Sequence, residues 1–285
     1  MGANDFTDME NAAENILIPM TSLHNGNNEA VASDVYCYTT QIVNVCFAGD
    51  PDGWVLIDTG MPRSADRIID RAAELFGKNA KPQAIILTHG HFDHVGGVVE
   101  LVKHWKVKVY ANELEIPYLT GKSNYPEPDW TVEGGIVAKL SRWFPNEAID
   151  LGGHIGSLPS DGSVPGMPGW RWIHTPGHTP GHISLFREKD RGLISGDALL
   201  TVEQDALYDV LIQKKQVSGP PVYYTTDWPA AEQSAKKLES LNPAYVVPGH
   251  GSPMGGEPLT QGLSSLIANF GRNAVPEYGR YVHHE

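Results

Sequence analysis

The stretch Thr88-His89-Gly90-His91-Phe92-Asp93-His94-Val95-Gly96-Gly97 constrains this chain more than any other. It places three imidazoles and one carboxylate within six positions. His89 and His91, spaced i and i+2, leave extended backbone on the same side. Asp93 and His94 are adjacent, so they can join the first two only if the chain turns there. Upstream, Ala84-Ile85-Ile86-Leu87 reads as a buried strand; downstream, Val98-Val99-Glu100-Leu101-Val102 reads as the start of a helix. The cluster therefore belongs on a strand-to-helix loop, where a rigid scaffold can aim several side chains at one point. Donors this dense point to a metal site.

The 285 residues contain 41% hydrophobic and 19% charged side chains, enough to build a sizeable core and too apolar for a disordered chain. A net charge of -13 argues against nucleic acid or an anionic membrane surface as a partner, since both require a basic face. The acidic start of the chain lacks the basic and apolar regions of a signal peptide, and no apolar run approaches the roughly 20 residues that span a bilayer. A soluble, cytoplasmic protein is the expectation. Cys37 and Cys46 lie in one β-rich run and read as two buried, reduced thiols.

No internal repeat and no clean linker interrupt the chain, which favours one domain over residues 1–285. Residues 1–15 read as a loose leader, Ile16 to Pro19 as a short strand, and His24 as part of a turn. Val35 to Phe47 reads as one strand or two, and Trp54 to Ile57 as the next. Ser64 to Phe76 has helical periodicity, with Ser64 placed to cap the N-terminus and Gly77 the C-terminus. Strands are also expected at Lys106–Tyr110, Trp170–Ile173, Ser184–Phe186, Gly192–Ser195 and Ala244–Val247, and helices at 135–143, Pro229–Leu241 and Leu259–Phe270. Residues 112–168 and 201–226 form two loop-rich insertions near the site. Their aromatics, Trp130, Trp143, Phe144 and Tyr223 among them, either line a substrate pocket or pack as core.

Five apolar runs end at, or a short step before, a potential ligand: Asp58, His89, His178, Asp197 and His250. Sites in sheet proteins collect at one edge, where strands end and loops begin, so these five are expected to converge. They and the central cluster can hold two ions. His89, His91 and His178 would make a three-imidazole site; Asp93, His94 and His250 would make a second. Asp197 is the natural bridge, because a carboxylate can offer one oxygen to each metal. Imidazole-rich ligation without thiolate suits two Zn²⁺, and also iron or manganese. Three protein ligands leave an open position for water, and two such ions ~3.5–4 Å apart would hold a nucleophilic hydroxide between them. Asp93 and Asp197 are thus the candidate catalytic carboxylates. Asp58 is expected to accept a hydrogen bond from a ligand imidazole, and His182 to pack beside His178.

His89-Gly90-His91-Phe92-Asp93-His94, with Thr175-Pro176-Gly177-His178, Gly196-Asp197, Gly249-His250 and the earlier Ile57-Asp58-Thr59-Gly60, resembles the signature of the metallo-β-lactamase superfamily. The resemblance covers residues ~35–255 in order. It implies an α+β fold, an αββα sandwich of two mixed sheets with helices outside and metals at one edge, and a dinuclear hydrolase. A bridging aspartate resembles the glyoxalase II and lactonase branch rather than the true β-lactamases. The match to N-acyl homoserine lactonases departs at Leu200, where they carry a tyrosine; Tyr208, Tyr223 or Tyr224 is the candidate substitute. The glutathione-binding tail of glyoxalase II is not matched, since only Arg272 and Arg280 follow His250 as arginines.

The leading expectation is hydrolysis of a small ester-like molecule, with a lactone first, by a chain for which a homodimer is an admissible assembly. The alternatives are a one-iron dioxygenase of the persulfide dioxygenase type, and a thioesterase or phosphotriesterase of the same superfamily.

Overall fold

The computed structural model describes residues 25–133, 135–202 and 216–282. Among these, β1 (Asn28–Ala32), β2 (Val35–Thr40), β3 (Val43–Asp50), β4 (Gly53–Ile57), β5 (Ile85–Ile86), β6 (Val109–Ala111) and β7 (Ile155–Ser157) form one sheet in sequence order. Its first four strands are antiparallel and its last four run parallel. The second sheet has the order β12-β11-β10-β9-β8, from β8 (Trp170–His174), β9 (Ile183–Arg187), β10 (Gly192–Gly196), β11 (Tyr245–Pro248) and β12 (Met254–Gly255). Here β10 and β11 are parallel and the other pairs antiparallel. The helices are α1 (Ala65–Phe76), α2 (Phe92–Val95), α3 (Val98–Trp105), α4 (Ile136–Leu140), α5 (Trp228–Ser240), α6 (Gly256–Ala268) and α7 (Phe270–Asn273).

Alternation along the strands sets the layers, because successive side chains point to opposite faces. On β3, Val45 and Phe47 face outward onto Ile68 and Ala72 of α1 and Leu101 and Trp105 of α3. Cys46 and Ala48 face inward, with Val55 and Ile57 of β4, onto Ile183, Leu185, Ile194 and Val247 of the second sheet. The outer face of that sheet, through Phe186, Leu193 and Val246, is covered by Ala231, Ala235 and Leu238 of α5 and by Leu259 and Leu263 of α6. The result is the αββα sandwich of two mixed sheets. Cys37 and Cys46 stand opposite one another in the β2–β3 register, as free and buried thiols. Burial pushes both thiols well above their ordinary range, which keeps them protonated and inert.

The run from Val35 to Phe47 forms two strands because Gln41 adopts a φ of 57° and turns the chain. Ser64 does precede α1, but in helical conformation and with no cap bond from its side chain; Gly77 closes the helix through its N–H to the Ala73 carbonyl. The helix expected over 135–143 is shorter, α4 followed by a 3₁₀ turn at Ser141–Trp143. Strands β1, β7 and β12 carry too few apolar residues to announce themselves. The leader at 1–15, the strand at Ile16–Pro19, His24, Tyr208 and the 203–215 part of the second insertion lie outside the described residues. The aromatics of the insertions divide. Phe144 and Tyr223 are buried against the second sheet's helical side, whereas Trp130 and Trp143 are each 46% exposed. Among the described residues no helix is long and apolar enough to cross a membrane.

Leu185 is fully buried between the sheets. Leu185→Ala is expected to cost roughly 2–5 kcal/mol of stability, since both sheets are backed by helices and cannot close the void. Urea denaturation checks this; a loss under about 1 kcal/mol would show that the sheets are free to collapse onto the gap.

Candidate metal centre

Parallel strands put their carboxyl ends on one edge, and loops leaving that edge carry the candidate ligands. Asp58 follows β4, His89 follows β5, Asp197 follows β10 and His250 follows β11. His178 lies on the loop from β8 to β9. The two sheets are joined directly beneath this edge. The Ile183 N–H donates to the Thr88 carbonyl at 3.0 Å, and the Asn44 N–H donates to the Gly249 carbonyl at 2.7 Å. The Asn44 side-chain amide also donates to the carbonyls of Pro248 (3.0 Å) and Gly251 (2.6 Å), pinning the His250 loop to β3.

The turn required between His91 and Asp93 is helix α2, a single turn with His91 at its N-cap position. It packs against the Asp58–Pro62 loop. The Thr59 N–H and hydroxyl both donate to the His94 carbonyl, at 2.7 and 2.9 Å, and the Gly96 N–H donates to the Gly60 carbonyl at 2.9 Å. A side chain at Gly96 would strike the backbone of Met61 and Pro62, so only glycine admits this approach.

Within this frame the seven candidate ligands form three overlapping groups: His89, His91 and His178; His89, His94 and Asp197; and Asp93, His94 and His250. In each, one donor atom per residue lies within 4.8 Å of the others. All seven are buried. Asp197 stands between the sets. Its Oδ1 is 3.4 Å from His94 Nε2, and its Oδ2 is 3.5 Å from His178 Nε2 and 3.4 Å from His250 Nε2. The Asp93 Oδ2 is 3.3 Å from His250 Nε2.

The tautomers follow from what lies behind each ring. The Asp58 carboxylate accepts from the Thr88 N–H (2.8 Å), the Thr88 hydroxyl (2.7 Å) and His94 Nδ1 (2.8 Å). With its proton committed to Asp58, the Thr88 hydroxyl can only accept from His89 Nδ1, at 3.1 Å. His250 Nδ1 donates to the Ile42 carbonyl at 2.9 Å. His178 Nδ1 meets Thr225 Oγ1 at 3.3 Å, and that hydroxyl donates to the Pro221 carbonyl. Four imidazoles thus turn Nε2 inward, while His91 presents Nδ1, 2.9 Å from His178 Nε2. His182 is engaged on both nitrogens. Its Nε2 accepts from the Asp197 N–H at 2.9 Å and its Nδ1 donates to Thr175 Oγ1 at 2.9 Å, so it holds the backbone of the bridging candidate.

Burial drives the imidazoles of His89 and His178 well below their ordinary range and those of His91 and His182 down to about 3. Burial also acts on His250, but Asp197 and Asp93 outweigh it and lift His250 to about 9. Burial pushes Asp197 upward, yet His250 and His94 hold it well below the carboxylate range. The donor set fits divalent metal. His89 Nε2, His94 Nε2 and Asp197 Oδ1 are buried polar atoms with no hydrogen-bond partner among the described residues, an expensive condition that a cation aimed at by all three would relieve. A side chain at Gly249 would strike Asp197 Oδ1 and His94 Cε1, so the strand end is kept bare where the donors meet.

Two tyrosines of the insertions stand nearest the candidate ligands. Tyr224 stacks on His91 with ring centroids 4.2 Å apart, and Tyr125 lies on it at 4.6 Å. Phe144 touches Phe92, Tyr223 and Tyr224 behind them. Sequence reading also passed over Glu115, which is buried beside the Gly90 loop; nothing in its local pattern marks it.

A buried cluster of histidines and aspartates able to hold metal, set at the edge of an αββα sandwich, defines a class, and the chain belongs to the metallo-beta-lactamase superfamily, whose family model matches residues 34–250. It is a metallo-hydrolase of that superfamily. It is 48% identical over 252 residues to a probable metallo-hydrolase, YflN, of Bacillus subtilis, across 87% of this chain and 96% of that protein. It is 29% identical over 150 residues to the hydroxyacylglutathione hydrolase GloC of Haemophilus influenzae, across 53% of this chain and 63% of that one. Among solved structures it is similar to TTHA1623 in a di-iron-bound form, with a TM-score of 0.51 and 26% identity over 75% of this chain and 89% of that one. The Rm3 metallo-beta-lactamase shares the fold at a TM-score of 0.58 and 20% identity, over 85% and 82% of the two chains.

Two outcomes follow from this geometry. Gly249→Ala is expected to displace the Asp197 carboxylate and weaken metal binding by about 10–100-fold with the fold retained; calorimetric metal titration beside circular dichroism measures both, and unchanged affinity contradicts it. The metal-free chain is expected to lose thermal stability as pH falls from about 6.5 toward about 3. Across that window His91 and His182 stay neutral when folded but take up protons when unfolded, so acid favours unfolding. His250, raised to about 9, is protonated in both states below about 6.5 and does not oppose the loss. A melting temperature that stays level over the window contradicts this.

Proposed function

We propose that this metallo-hydrolase uses two divalent ions to open an ester-like bond in a small molecule, with lactones the leading substrate class. The observation that carries the reading is the complete second ligand group, Asp93, His94 and His250, beside the three-histidine group, with Asp197 in reach of both. A one-iron dioxygenase would need only a pair from the first group and the aspartate. His89 Nε2, His91 Nδ1 and His178 Nε2 would hold one ion; Asp93, His94 Nε2 and His250 Nε2 the other; Asp197 would serve both. When bound, such a pair supplies a hydroxide nucleophile at neutral pH and polarises the carbonyl under attack.

The protein's own groups prepare that chemistry. Asp58 and the Ile42 carbonyl keep protons on the outer nitrogens of His94 and His250, so the inner nitrogens are the ones that would give up a proton and bind a metal. His91 is the ring whose tautomer must change, because its Nδ1 faces His178 Nε2 and both atoms are needed as donors of lone pairs. Asp93 is the least enclosed of the seven, 8% exposed, and marks the side from which substrate enters. Tyr224 and Tyr125 lie on His91 with Phe144 behind Tyr224, an apolar group that suits an uncharged ring or acyl chain. The net charge of -13 disfavours a polyanion. Two zinc ions suit the imidazole-rich donors, and the di-iron form of TTHA1623 makes iron the second choice for the same positions.

The test is a panel of lactones, aryl esters, thioesters and phosphotriesters, assayed with metal-loaded and metal-stripped protein alongside elemental analysis. Metal-dependent lactone turnover with two metals per chain is expected, falling at least about 100-fold in Asp93→Asn. One iron per chain with oxygen consumption, or no turnover of any of the four classes, would overturn the reading.

A further inference from the structure

Resting on the two-ion reading above, we infer that Glu115 is a positioning residue: its carboxylate clasps the loop carrying His89 and His91 to the loop carrying His178 and so sets the geometry of the three-histidine group. Glu115 ends the 3₁₀ turn Glu113–Glu115, just past β6, on the sheet edge where the ligands collect. It is fully buried. One oxygen, Oε2, accepts from the Gly90 N–H at 3.2 Å and from the Tyr125 hydroxyl. The other, Oε1, accepts from the Thr179 hydroxyl at 2.8 Å and the Gly181 N–H at 2.8 Å. Gly90 lies between His89 and His91, and Thr179 follows His178. The Tyr125 hydroxyl also accepts from the Gly90 N–H at 2.8 Å, while its ring lies on His91.

A carboxylate is the side chain this position requires. Each of its oxygens faces a backbone N–H, which can only donate, so both must be acceptors. An amide of the same shape has one acceptor and one NH₂, and whichever way it is turned the NH₂ meets a backbone N–H. Burying an anion without a cationic partner is costly, and four donors offset it. The two loops joined in this way bring His91 Nδ1 and His178 Nε2 to 2.9 Å. The second group, Asp93, His94 and His250, is held by other means, through Asp58, Thr59, Asn44 and the Ile42 carbonyl. The clasp therefore acts on one ion position and not on the other.

Cobalt(II) titration of the metal-free full chain, followed by visible absorption and elemental analysis, reads the two positions as successive phases. Glu115→Gln is expected to weaken the phase belonging to the three-histidine group by about 10–100-fold and to alter its spectrum, with the other phase unchanged. Tyr125→Phe, which keeps the ring on His91 and removes one donor, is expected to move the same phase by a smaller factor. If Glu115→Gln does not fold, Tyr125→Phe and Thr179→Val decide the matter by the same readout. Variants that titrate as the wild type does, or that weaken both phases equally, overturn the clasp. A wild-type chain that takes up no cobalt overturns the two-ion reading and the clasp with it.

Discussion

Four buried imidazoles each have the outer nitrogen engaged by the protein, so that the inner one is turned toward a common point. His89 gives its proton to Thr88, His94 to Asp58, His178 to Thr225 and His250 to the Ile42 carbonyl. That constraint governs the rest of the structure. Buried polar atoms without a partner are costly, and His89 Nε2, His94 Nε2 and Asp197 Oδ1 are gathered in that condition at one place. The loops that leave the sheet edge, the short helix α2, and the backbone junctions at Thr88 and Asn44 all serve to hold those rings still.

The fold provides rigidity where the loops cannot. Two sheets, each backed by helices, enclose an apolar layer that includes Ile57, Ile183, Leu185, Ile194 and Val247. Strands β4, β5, β10 and β11 end in this layer, so the residues that follow them leave a packed base. Asp58 shows what is required at such an exit. It adopts a φ of 58°, a left-handed conformation that aspartate enters more readily than most residues, and three hydrogen bonds to its carboxylate hold it there.

The candidate site positions were legible in the sequence because several are short polar signals at the end of an apolar run: Ile57 before Asp58, Leu87 before Thr88 and His89, Val247 before Pro248 and His250. Period and composition carry that information locally. The support behind the ligands was less visible. Glu115 sits in Glu113-Leu114-Glu115, which reads as an exposed acidic turn, and only the tertiary fold brings Gly90, Thr179 and Gly181 onto its carboxylate. Edge strands such as β1, with the sequence NEAVA, are weakly apolar because one side faces solvent. Among the insertion aromatics, Trp130 and Trp143 are half exposed, whereas Tyr125 and Tyr224 lie against His91. Aromatic composition shows that large rings are present; packing determines which one meets a ligand.

The central claim is that the seven side chains form two adjoining ion positions with Asp197 between them. An anomalous-difference map from crystals of the metal-loaded protein, recorded at the absorption edge of the bound metal, tests it most directly. The account predicts two peaks, one enclosed by His89, His91 and His178 and the other by Asp93, His94 and His250, with Asp197 reaching both. A single peak, or a second peak away from Asp93, His94 and His250, would contradict it.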